Sequence, residues 1–492
     1  MAGSENLYTA AQTRALDRCA IEEHGIPGIT LMSRAAEATL RHLMSGWPDA
    51  ECLQILCGTG NNAGDGFLIA DLAHKRGVAV RVLLVADAAR LSGDAQLAYA
   101  QALANGVSIE PYADHALEPH GVIVDALLGT GLSGEVRQDY QQAIAAINRQ
   151  GLPVVAVDIP SGLCADTGRV LGCAVRADLT VTFIGLKRGL FCLAAPDYTG
   201  DVVLSDLAVP MAVYDAVPAD CQRVELEALL QHLPARPATA HKGMYGSVLV
   251  IGGDRGMGGA VCMAVEGALR CGAGLVRAAT RAEHVPAILA RTPEAMAMGV
   301  QSAAEVTPLL EVCDVVVVGP GLGQGEWSRH LLQMALAAGK PLVVDADALN
   351  LLAAGADAAS NRDDWLLTPH PGEAARLLSC PVAQVQSDRF AAVAQLQQRY
   401  GGISVLKGNG TLVATAQRCL LSDYGNPGMA SGGMGDVLSG ILGGLVAQGL
   451  SLQDAAALGV CVHGAAADLA AASGQRGLLA TDLMPYLREI LG

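Results

Sequence analysis

The sequence is poor in aromatic and basic residues. Phe, Trp and Tyr make up only 3% of the 492 residues, while Gly alone accounts for 58. Small side chains suit helices packed closely on parallel sheets better than a β-sandwich. Lys and Arg total 32 against 48 Asp and Glu, which gives a formal net charge of −16. This balance argues against nucleic acid and anionic membranes as partners, because phosphate backbones and headgroups attract clustered basic side chains.

The sequence also lacks paired cysteines, a leader segment and a long apolar run. Its 13 cysteines are scattered singly, without a C-x-x-C pair, which is typical of buried thiols in a reducing compartment. The start, MAGSENLYTAAQ, lacks the basic and apolar regions of a signal peptide. No uninterrupted apolar run approaches the ~18 residues that span a bilayer. We therefore expect a soluble, cytoplasmic protein with no membrane partner.

Short β-branched runs alternate with Ala-rich segments of helical spacing through most of the chain. This alternation predicts βαβ units and a mostly parallel sheet with helices on both faces. The predicted strands are Leu53–Cys57, Val78–Val85, Val122–Asp125, Val154–Asp158, Leu179–Ile184, Val202–Leu204, Ser247–Ile251, Leu275–Ala279, Val315–Val318, Leu342–Asp345, Trp365–Leu367 and Ser404–Lys407. The predicted helices include Phe67–Arg76, Ala95–Ala104, Gln138–Arg149, Val261–Arg270 and Val437–Val446.

A segment rich in Pro, Ala and Gly, PARPATAHKGMYG at 234–246, separates the two halves of this pattern. Helix and strand breakers at that density indicate a domain seam. We place the seam between about Pro218 and Thr239. The sequence thus predicts two α/β domains, at 1–217 and 224–492.

The first Gly-rich segment, GTGNNAGDG at 58–66, follows a predicted strand and opens a helix. Such a turn directs backbone N–H groups and the positive helix end toward an anion. The glycines alone fit a simple tight turn equally well. Asn61, Asn62 and Asp65 favour a site, because their short polar side chains suit a ribose, a metal ion or catalysis.

Other polar residues follow neighbouring strands of the first half. Asp125 ends one strand, and Asp158 and Ser161 follow another. Ligands of open parallel sheets bind at the carboxyl ends of the strands. Asn62, Asp125 and Ser161 are therefore expected at one site, with oxygen atoms suited to a hard cation. The alternative is that Asp125 and Asp158 only cap helices.

In the second half, SGGMGDVLSG at 431–440 places four glycines around a single acid, Asp436, ahead of an apolar helix. The glycines would let successive N–H groups form an anion hole at a positive helix end. A carboxylate at its rim suits phosphoryl transfer, because it can take the proton of an attacking hydroxyl. The alternative is a turn whose Asp caps the helix.

Several of these motifs together resemble the two domains of the YjeF family. GTGNNAGDG, DALLGTGLSGE and VDIPSGL, within residues 8–212, are similar to its N-terminal Rossmann-like three-layer α/β/α domain, the NAD(P)HX epimerase. TPHPGE, KGNGT and SGGMGDVLSG, within 224–492, are similar to its C-terminal ribokinase-like α/β domain, the ADP- or ATP-dependent NAD(P)HX dehydratase. NAD(P)HX is NAD(P)H to which water has added at C6 of the nicotinamide ring, in R and S forms.

For the first domain, the resemblance implies an epimerase site that binds potassium. The implied substrate contacts are Asn61, Asn62, Ala63, Gly64, Asp65, Gly129, Thr130, Gly131, Leu132, Ser133, Gly134, Glu135 and Asp158. The implied potassium ligands are Asn62, Asp125 and Ser161. We expect Asp158 to move the proton if its pKa lies near neutrality. Lys187 would assist it or be a solvated surface lysine. Ala63 replaces the usual Gly of the family, and would be strained if that position needs a positive φ.

For the second domain, the resemblance implies that Asp436 is the base that frees the C6 hydroxyl for phosphorylation. The implied substrate contacts are Ala260, Gly321, His370 and Asp436, and the implied nucleotide contacts are Lys407, Gly408, Asn409, Gly410, Thr411 and Gly435. The candidates for holding phosphate-bound magnesium are Asp345, Asp347, Asn350 and Glu373. His370 could instead be structural. We expect ADP as co-substrate, which bacterial members generally use.

Two alternatives remain at this stage. The second domain could be a small-molecule kinase, since the ribokinase-like fold hosts several such activities. The first domain could be only a binding module. In the leading interpretation the chain acts on NADHX and NADPHX with ADP or ATP, and forms a homo-oligomer.

Overall fold

The computed structural model describes residues 6–112, 117–355 and 361–492. The chain divides into two compact units, Met1–Gln222 and Arg223–Gly492. This division falls inside the segment where the sequence predicts the seam.

The first unit is built from short strands and seven helices in its described residues. Its strands are β1 (Asn6–Tyr8), β2 (Cys52–Cys57), β3 (Ala79–Leu84), β4 (Ser108–Pro111), β5 (Val122–Ala126), β6 (Val154–Val157), β7 (Leu179–Phe183), β8 (Leu186–Lys187), β9 (Asp201–Ser205) and, at its end, β10 (Cys221–Arg223). Its helices are α1 (Ala10–Glu22), α2 (Gly28–Gly46), α3 (Asn61–Lys75), α4 (Gly93–Ala104), α5 (Gln138–Gln150), α6 (Pro196–Thr199) and α7 (Met211–Ala216).

The main sheet of this unit is seven-stranded and parallel throughout, in the order β4-β3-β2-β5-β6-β7-β9. Apolar clusters cover both faces, with side chains of α1 to α4 on one face and of α5 on the other. The predicted three-layer α/β/α arrangement is therefore confirmed. Strand order reverses between β2 and β5, where Cys57 pairs with Ala126. The carboxyl ends at such a reversal open a crevice for a ligand.

A second, smaller set of strands fixes the start of α1. Strand β1 pairs antiparallel with β10 and parallel with β8. In the β1–β8 register Tyr8 lies opposite Lys187. Because α1 begins two residues after Tyr8, this pairing holds the helix start beside Lys187.

The second unit contains the remaining elements. Its strands are β11 (Ser247–Ile251), β12 (Leu275–Thr280), β13 (Met296–Gly299), β14 (Val315–Val318), β15 (Leu342–Val344), β16 (Trp365–Leu367), β17 (Ile403–Leu406), β18 (Thr411–Ala414) and β19 (Cys419–Ser422). Its helices are α8 (Leu226–Leu230), α9 (Gly258–Arg270), α10 (Val285–Arg291), α11 (Thr307–Glu311), α12 (Glu326–Ala337), α13 (Ala346–Ala353), α14 (Pro371–Leu378), α15 (Val382–Ser387), α16 (Arg389–Tyr400), α17 (Met434–Ala447), α18 (Leu452–Ala470) and α19 (Met484–Leu491).

The strands of the second unit follow the order β13-β12-β11-β14-β15-β16-β17-β18-β19. Pairing is parallel from β13 to β17 and antiparallel through β18 and β19. Strand order reverses here between β11 and β14. Helix α17 packs against α9 with side chains that are almost all buried. This buried helix carries Asp436 in its first turn.

One helix within the described ranges is long and apolar enough to cross a bilayer. It covers Leu452–Ser473, has a mean hydropathy of 1.5, and buries 72% of its most apolar window inside the protein. Side chains of α18 contribute to the core of the second unit. Its apolarity is therefore used in packing.

Three helices begin at least three residues earlier than the sequence predicts. Helix α3 begins at Asn61 instead of Phe67, α9 at Gly258 instead of Val261, and α17 at Met434 instead of Val437. In each case the Gly-rich segment predicted to be a loop forms the first helical turns. The candidate ligand-binding residues Asn61 to Asp65, Ala260, Gly435 and Asp436 accordingly lie on helices.

Two candidate active sites

The first unit contains a cavity of about 620 Å³ at the carboxyl ends of its central strands. Helix α1, the first turn of α3 and the segment after β5 all contribute to its wall. Of the residues predicted from the sequence, Asn61, Asn62, Asp65, Gly129, Thr130, Gly131, Leu132, Ser133, Glu135, Asp158 and Lys187 line this cavity. The structure thus brings together most of the residues expected to contact the epimerase substrate.

Three of the predicted substrate contacts do not line the cavity. Ala63 is fully buried within α3 and has a helical backbone. The strain that a positive φ would cause at this position therefore does not arise. Gly64 packs on α2, since a Cβ there would lie 2.5 Å from the sulfur of Met32. Gly134 lies in an exposed turn with φ 78°. Gly64 and Gly134 are therefore explained by packing and turn geometry.

Asp158 and Lys187 form an ion pair at the wall of the cavity. The Lys187 ammonium donates to Asp158 Oδ1, to Thr182 Oγ1 at 2.9 Å and to the Phe183 carbonyl at 3.0 Å. Lys187 is fully buried, so the interpretation as a solvated surface lysine is wrong. Asp158 caps no helix and has φ 67°. A left-handed backbone is uncommon at non-glycine residues, although Asp tolerates it better than most, and such residues concentrate at functional sites.

Asp125 and Ser161 do not line the cavity and are fully buried. Asp125 accepts hydrogen bonds from the Ser161 N–H at 2.8 Å and the Ser161 hydroxyl at 2.6 Å. Burial raises the pKa of Asp125 to about 6. Asp125 therefore bonds to Ser161 instead of capping a helix.

Asn62 is the third predicted potassium ligand. Its amide is buried, and neither its oxygen nor its nitrogen has a hydrogen-bond partner within the described part of the chain. Its side chain lies against Gly129, whose neighbour Leu128 donates to Ser161 Oγ at 2.8 Å. An unpartnered buried carbonyl oxygen near a hydroxyl and a carboxylate fits a hard cation.

Helix α1 contributes cavity residues that the sequence did not single out. Thr13, Arg14 and Asp17 line the wall. Burial raises the pKa of Asp17 to about 6, with Lys187 opposing this rise and Asp158 adding to it. No motif marks these residues, and their helix reaches the cavity through long-range contacts, among them the pairing of β1 with β8.

In the second unit, the buried Asp345 forms an ion pair with the partly exposed Lys407. Asp345 accepts hydrogen bonds from the Lys407 ammonium, the Thr368 hydroxyl and the Ser439 hydroxyl, each at 2.7 Å. Burial raises the pKa of Asp345, but Lys407 and these bonds outweigh burial and hold it below its usual value. A carboxylate that is ionised at neutral pH is thus fixed beneath the start of α17.

Asp436 lies in the first turn of α17, but it does not cap this helix. The N-cap is Gly433, with φ 94° and no side-chain cap. Burial raises the pKa of Asp436 to about 7, Asp345 and Asp347 add to the rise, and Lys407 opposes it. The structure thus leaves Asp436 as a partly exposed carboxyl that titrates near neutral pH.

The four glycines around Asp436 differ in what surrounds them. A Cβ at Gly435 would lie 3.2 Å from the Lys407 ammonium, and one at Gly440 would press on the backbone of α9 at Ala264. Gly433 needs its positive φ. Only at Gly432 would a Cβ meet nothing within 4 Å of the described structure. The expected anion hole therefore does not account for all four glycines.

His370 has a structural role at the start of α14. Its Nδ1 accepts from the Gly372 N–H at 2.9 Å, and the backbone N–H of His370 donates to Glu373 Oε2 at 2.8 Å. Its side chain is nevertheless half exposed. Burial lowers the pKa of His370, and burial raises the pKa of Glu373 to about 7. His370 therefore presents a neutral ring beside the Asp345–Lys407 pair.

Ala260 and Gly321 lie together at the start of α9. A Cβ at Gly321 would lie 3.0 Å from the Cβ of Ala260, and Gly321 has φ 56°. One turn further along α9, Met263 contacts the position of a Gly433 Cβ. The two predicted substrate contacts therefore lie at the part of α9 that is close to the start of α17.

The predicted nucleotide loop, 407–411, forms the turn between β17 and β18. Gly408 and Gly410 have φ 143° and 67°. The buried guanidinium of Arg389 donates to the carbonyls of Leu406 and Gly410 at 3.1 Å and holds this turn in place. Sequence reasoning missed Arg389, because a basic residue at a helix start looks like a surface residue.

The predicted magnesium candidates do not form a cluster. Asp345 is paired with Lys407, Asp347 accepts from the Gly323 N–H at 2.9 Å, and Asn350 accepts from Arg376 at 2.7 Å. Across the described ranges, no three or more His, Cys, Asp or Glu side chains are placed to hold a metal ion together. Magnesium often binds through substrate phosphates with only one or two protein carboxylates, and Asp347 fits that requirement.

Both units carry carboxylates and Gly-rich helix starts at the reversal of a parallel sheet, which defines a two-site α/β enzyme for nucleotide ligands. The chain is 50% identical over 487 residues to the bifunctional NAD(P)H-hydrate repair enzyme of Coxiella burnetii, covering 99% of each chain. It is 46% identical to the enzyme of the same description from Escherichia coli, covering 99% of this chain and 94% of the relative. The chain belongs to the family of bifunctional NAD(P)H-hydrate repair enzymes.

Family models and solved structures agree with this assignment. Residues 28–189 match the YjeF-related protein N-terminus, and residues 248–489 match NAD(P)H-hydrate dehydratase. A ribokinase-like superfamily protein from Enterococcus faecalis aligns with a TM-score of 0.52 and 31% identity, over 55% of this chain and 95% of its own. A Bacillus subtilis ADP/ATP-dependent NAD(P)H-hydrate dehydratase, co-crystallised with ATP and Mg²⁺, aligns at 0.50 and 31%, over 54% and 96%. The predicted family and fold class are confirmed.

Proposed function

We propose that the first domain interconverts the R and S forms of NAD(P)HX, and that the second dehydrates the S form at the expense of ADP. The domains correspond to 1–217 and 224–492. The observation that carries this proposal is the position of Asp436. Its carboxyl titrates near neutrality at a glycine-lined helix start, beside the fixed Asp345–Lys407 pair. A stereospecific dehydratase uses its whole substrate only when an epimerase supplies the other form.

In the second domain, Asp436 acts as the general base. Its carboxylate takes the proton of the C6 hydroxyl while that oxygen attacks the β-phosphorus of ADP and AMP leaves. The phosphate then leaves C6 with the C–O electron pair, a proton leaves C5, and the C5=C6 double bond of NAD(P)H forms. Phosphorylation is needed because hydroxide is a poor leaving group and phosphate a good one.

The remaining residues of the second site position the two substrates. Ala260, Gly321 and His370 bind the hydrated nicotinamide, and residues 407–411 with Gly435 bind the adenine nucleotide. The positive start of α17 and the Lys407 ammonium stabilise the negative charge of the transferred phosphoryl group. Magnesium would arrive with the phosphates and neutralise part of their charge, with Asp347, which accepts from the Gly323 N–H, as the candidate carboxylate ligand. ADP is proposed over ATP.

In the first domain, Asp158 moves the proton of the C6 hydroxyl and is held in place by its ion pair with Lys187. Residues 61–65 and 129–135 bind the substrate nucleotide. Asn62, Asp125 and Ser161 would hold a potassium ion, which supplies fixed positive charge next to the anionic substrate. The unpartnered amide of Asn62 supports this assignment.

Assays of the full chain test the proposal. Mixed R and S NADHX is incubated with Mg²⁺, K⁺ and ADP or ATP, and the near-UV absorbance of reduced nicotinamide is followed. We expect complete recovery with wild type and none with Asp436→Asn. Asp158→Asn should recover the S fraction quickly and the rest only at the uncatalysed rate. The exposed acids Asp215 and Asp363 give matched Asp→Asn controls in each domain.

Two results would contradict the proposal. If wild type shows no nucleotide-dependent recovery, the second domain is better explained as a small-molecule kinase, and stable phosphorylated alcohols should then be found. If Asp158→Asn leaves R and S interconversion unchanged, the first domain is only a binding module.

We also propose a cytoplasmic homo-oligomer. The 13 cysteines are all free, which suits a reducing compartment. Strand β13 lies at an edge of its sheet and exposes 40% of Met296 and of Met298, which suits contact with a second copy. Light scattering after size-exclusion chromatography measures the mass, and a mass of about 50 kDa, that of one chain, would contradict the oligomer.

A further inference from the structure

One face of α1 belongs to the epimerase cavity. Thr13, Asp17 and Ile21 line it at four-residue spacing, which places them on one side of the helix. Leu16 and Ala20 on another side are fully buried in the core. Asp17 therefore reaches the cavity through the regular geometry of a packed helix.

The start of α1 is anchored on both sides. Thr9 and Gln12 form a capping box, and the Ala10 N–H donates to Asp166 at 2.6 Å. Tyr8 pairs with Lys187 across β1 and β8. These contacts fix the helix that carries Asp17 relative to the strand that ends in Lys187.

Asp17 and Asp158 have contrasting surroundings in the same cavity. Asp158 accepts from Lys187 and from the Thr182 hydroxyl at 3.2 Å. Asp17 makes no hydrogen bond or ion pair with any residue that the structure describes. Two carboxyl groups with contrasting partners in one cavity are the arrangement expected of an acid and base pair.

Other charged groups also face this cavity. Asp65 of α3 is buried, and burial together with Asp158 and Asp17 raises its pKa well above the usual value. The further charged residues on the wall are Arg14, Asp94, Glu135 and Arg137. Burial raises the pKa of Asp17 to about 6, so part of its population keeps a proton at neutral pH.

We propose that Asp17 is the second proton-carrying catalytic residue of the epimerase, acting as the acid opposite Asp158. This inference rests on the proposed function of the first domain. The C6 hydroxyl gives its proton to Asp158 as the C6=O bond forms. The C6–N1 bond breaks with its electron pair on N1, which takes the proton of Asp17.

The second half of the reaction reverses these transfers. Rotation about the C5–C6 bond presents the other face of the aldehyde to N1. Asp17 then takes the proton back from N1 as the bond to C6 forms, and Asp158 returns its proton to the oxygen. The opposite configuration results, with no net change in protons and no redox partner.

The test measures R to S conversion chromatographically without nucleotide, from pH 5 to 8, in the full chain. Because the acid form of Asp17 is lost as pH rises through its pKa, wild-type kcat should fall on the alkaline side. We expect Asp17→Asn to lower kcat by about 10²–10⁴-fold, with a smaller change in KM, and to abolish the alkaline fall. Asp17→Glu should restore part of the rate, and Glu22→Gln, exposed on the same helix, should match wild type.

Each other outcome has a defined meaning. If Asp17→Asn keeps a wild-type kcat and pH profile, or if Asp65→Asn alone abolishes the alkaline fall, the proposal is overturned. Near-UV circular dichroism of Asp17→Asn and Asp17→Glu must match that of wild type, which shows that both variants fold. A slow Asp17→Glu variant that has the native spectrum and the wild-type pH profile would also overturn the proposal. If wild type itself does not accelerate interconversion, the proposed epimerase function fails instead.

Discussion

At the scale of single residues, the second site depends on carboxyl groups held in different states. Asp345 is kept ionised by Lys407, whereas Asp436 and Glu373 each have a pKa raised to about 7 by burial. A base works best when its pKa lies near the working pH. The site thus combines a fixed charge for binding with a titrating group for proton transfer.

We predict that dehydratase kcat/KM rises with pH and levels off above about 7. The sign follows from the base role, because Asp436 must lose its proton to accept that of the hydroxyl, and its pKa is raised to about 7. The measurement is initial rates on S-NADHX from pH 5.5 to 8.5. Glu373→Gln is the matched control, since Glu373 has a similarly raised pKa. A profile that loses its rise in Glu373→Gln would assign the proton transfer to Glu373.

Sequence motifs identified most candidate residues but not their surroundings. Asp158, Asp436 and Lys407 were predicted because they follow strands or Gly-rich segments. Asp17 and Arg389 were missed, since each reaches its site through long-range packing that leaves no local pattern. Likewise, no pattern shows that Lys187 is buried and fully hydrogen-bonded, which only the assembled strands determine.

At the scale of elements, the helix starts explain the main errors in the sequence prediction. Glycine costs about 1 kcal/mol relative to alanine inside a helix, so Gly-rich first turns were predicted to be loops. Packing compensates for this cost in α3 and α17, whose glycines allow other backbones and side chains to approach.

The predicted central strands agree with the structure within one or two residues, because buried β-branched runs give a strong signal. The strands β1, β4, β8, β10, β13, β18 and β19 were missed. Most are edge or very short strands. β8 has only two residues, and β13 contains no β-branched residue.

We predict that Gly440→Ala destabilises the second unit by about 1–3 kcal/mol through overpacking. Its Cβ would press on the backbone of α9 at Ala264, which cannot move without shifting the helix. Gly259→Ala is the control within the same helix pair, since a Cβ there meets nothing within 4 Å, and it should not lower stability. Urea unfolding monitored by circular dichroism gives both values. Equal stabilities would show that α9 adjusts freely.

At the scale of the whole molecule, each unit has its own apolar core. One described cluster is formed by residues of the first unit and another by residues from Val224 onward. The formal charge of −16 provides no general attraction for anionic nucleotides. Binding must therefore depend on local groups such as Lys407 and the helix starts.

We predict that calorimetry of the full chain shows two unfolding transitions. ADP with Mg²⁺ should raise the midpoint temperature of only one of them. A ligand that binds only the folded state at 100 times its Kd adds about 2.7 kcal/mol to that unit. Asp158→Asn should leave this shift unchanged. A single transition, or an equal shift of both, would contradict independent unfolding of the two cores.

The left-handed backbone at Asp158 has an evolutionary consequence. Few residues other than Gly, Asn and Asp adopt φ 67° without strain. A descendant that abandoned the first reaction would therefore be expected to carry Asn or Gly at this position more readily than Ala or Ser. Within a set of related sequences, those two residues would mark lineages whose first domain has lost its chemistry and kept its shape.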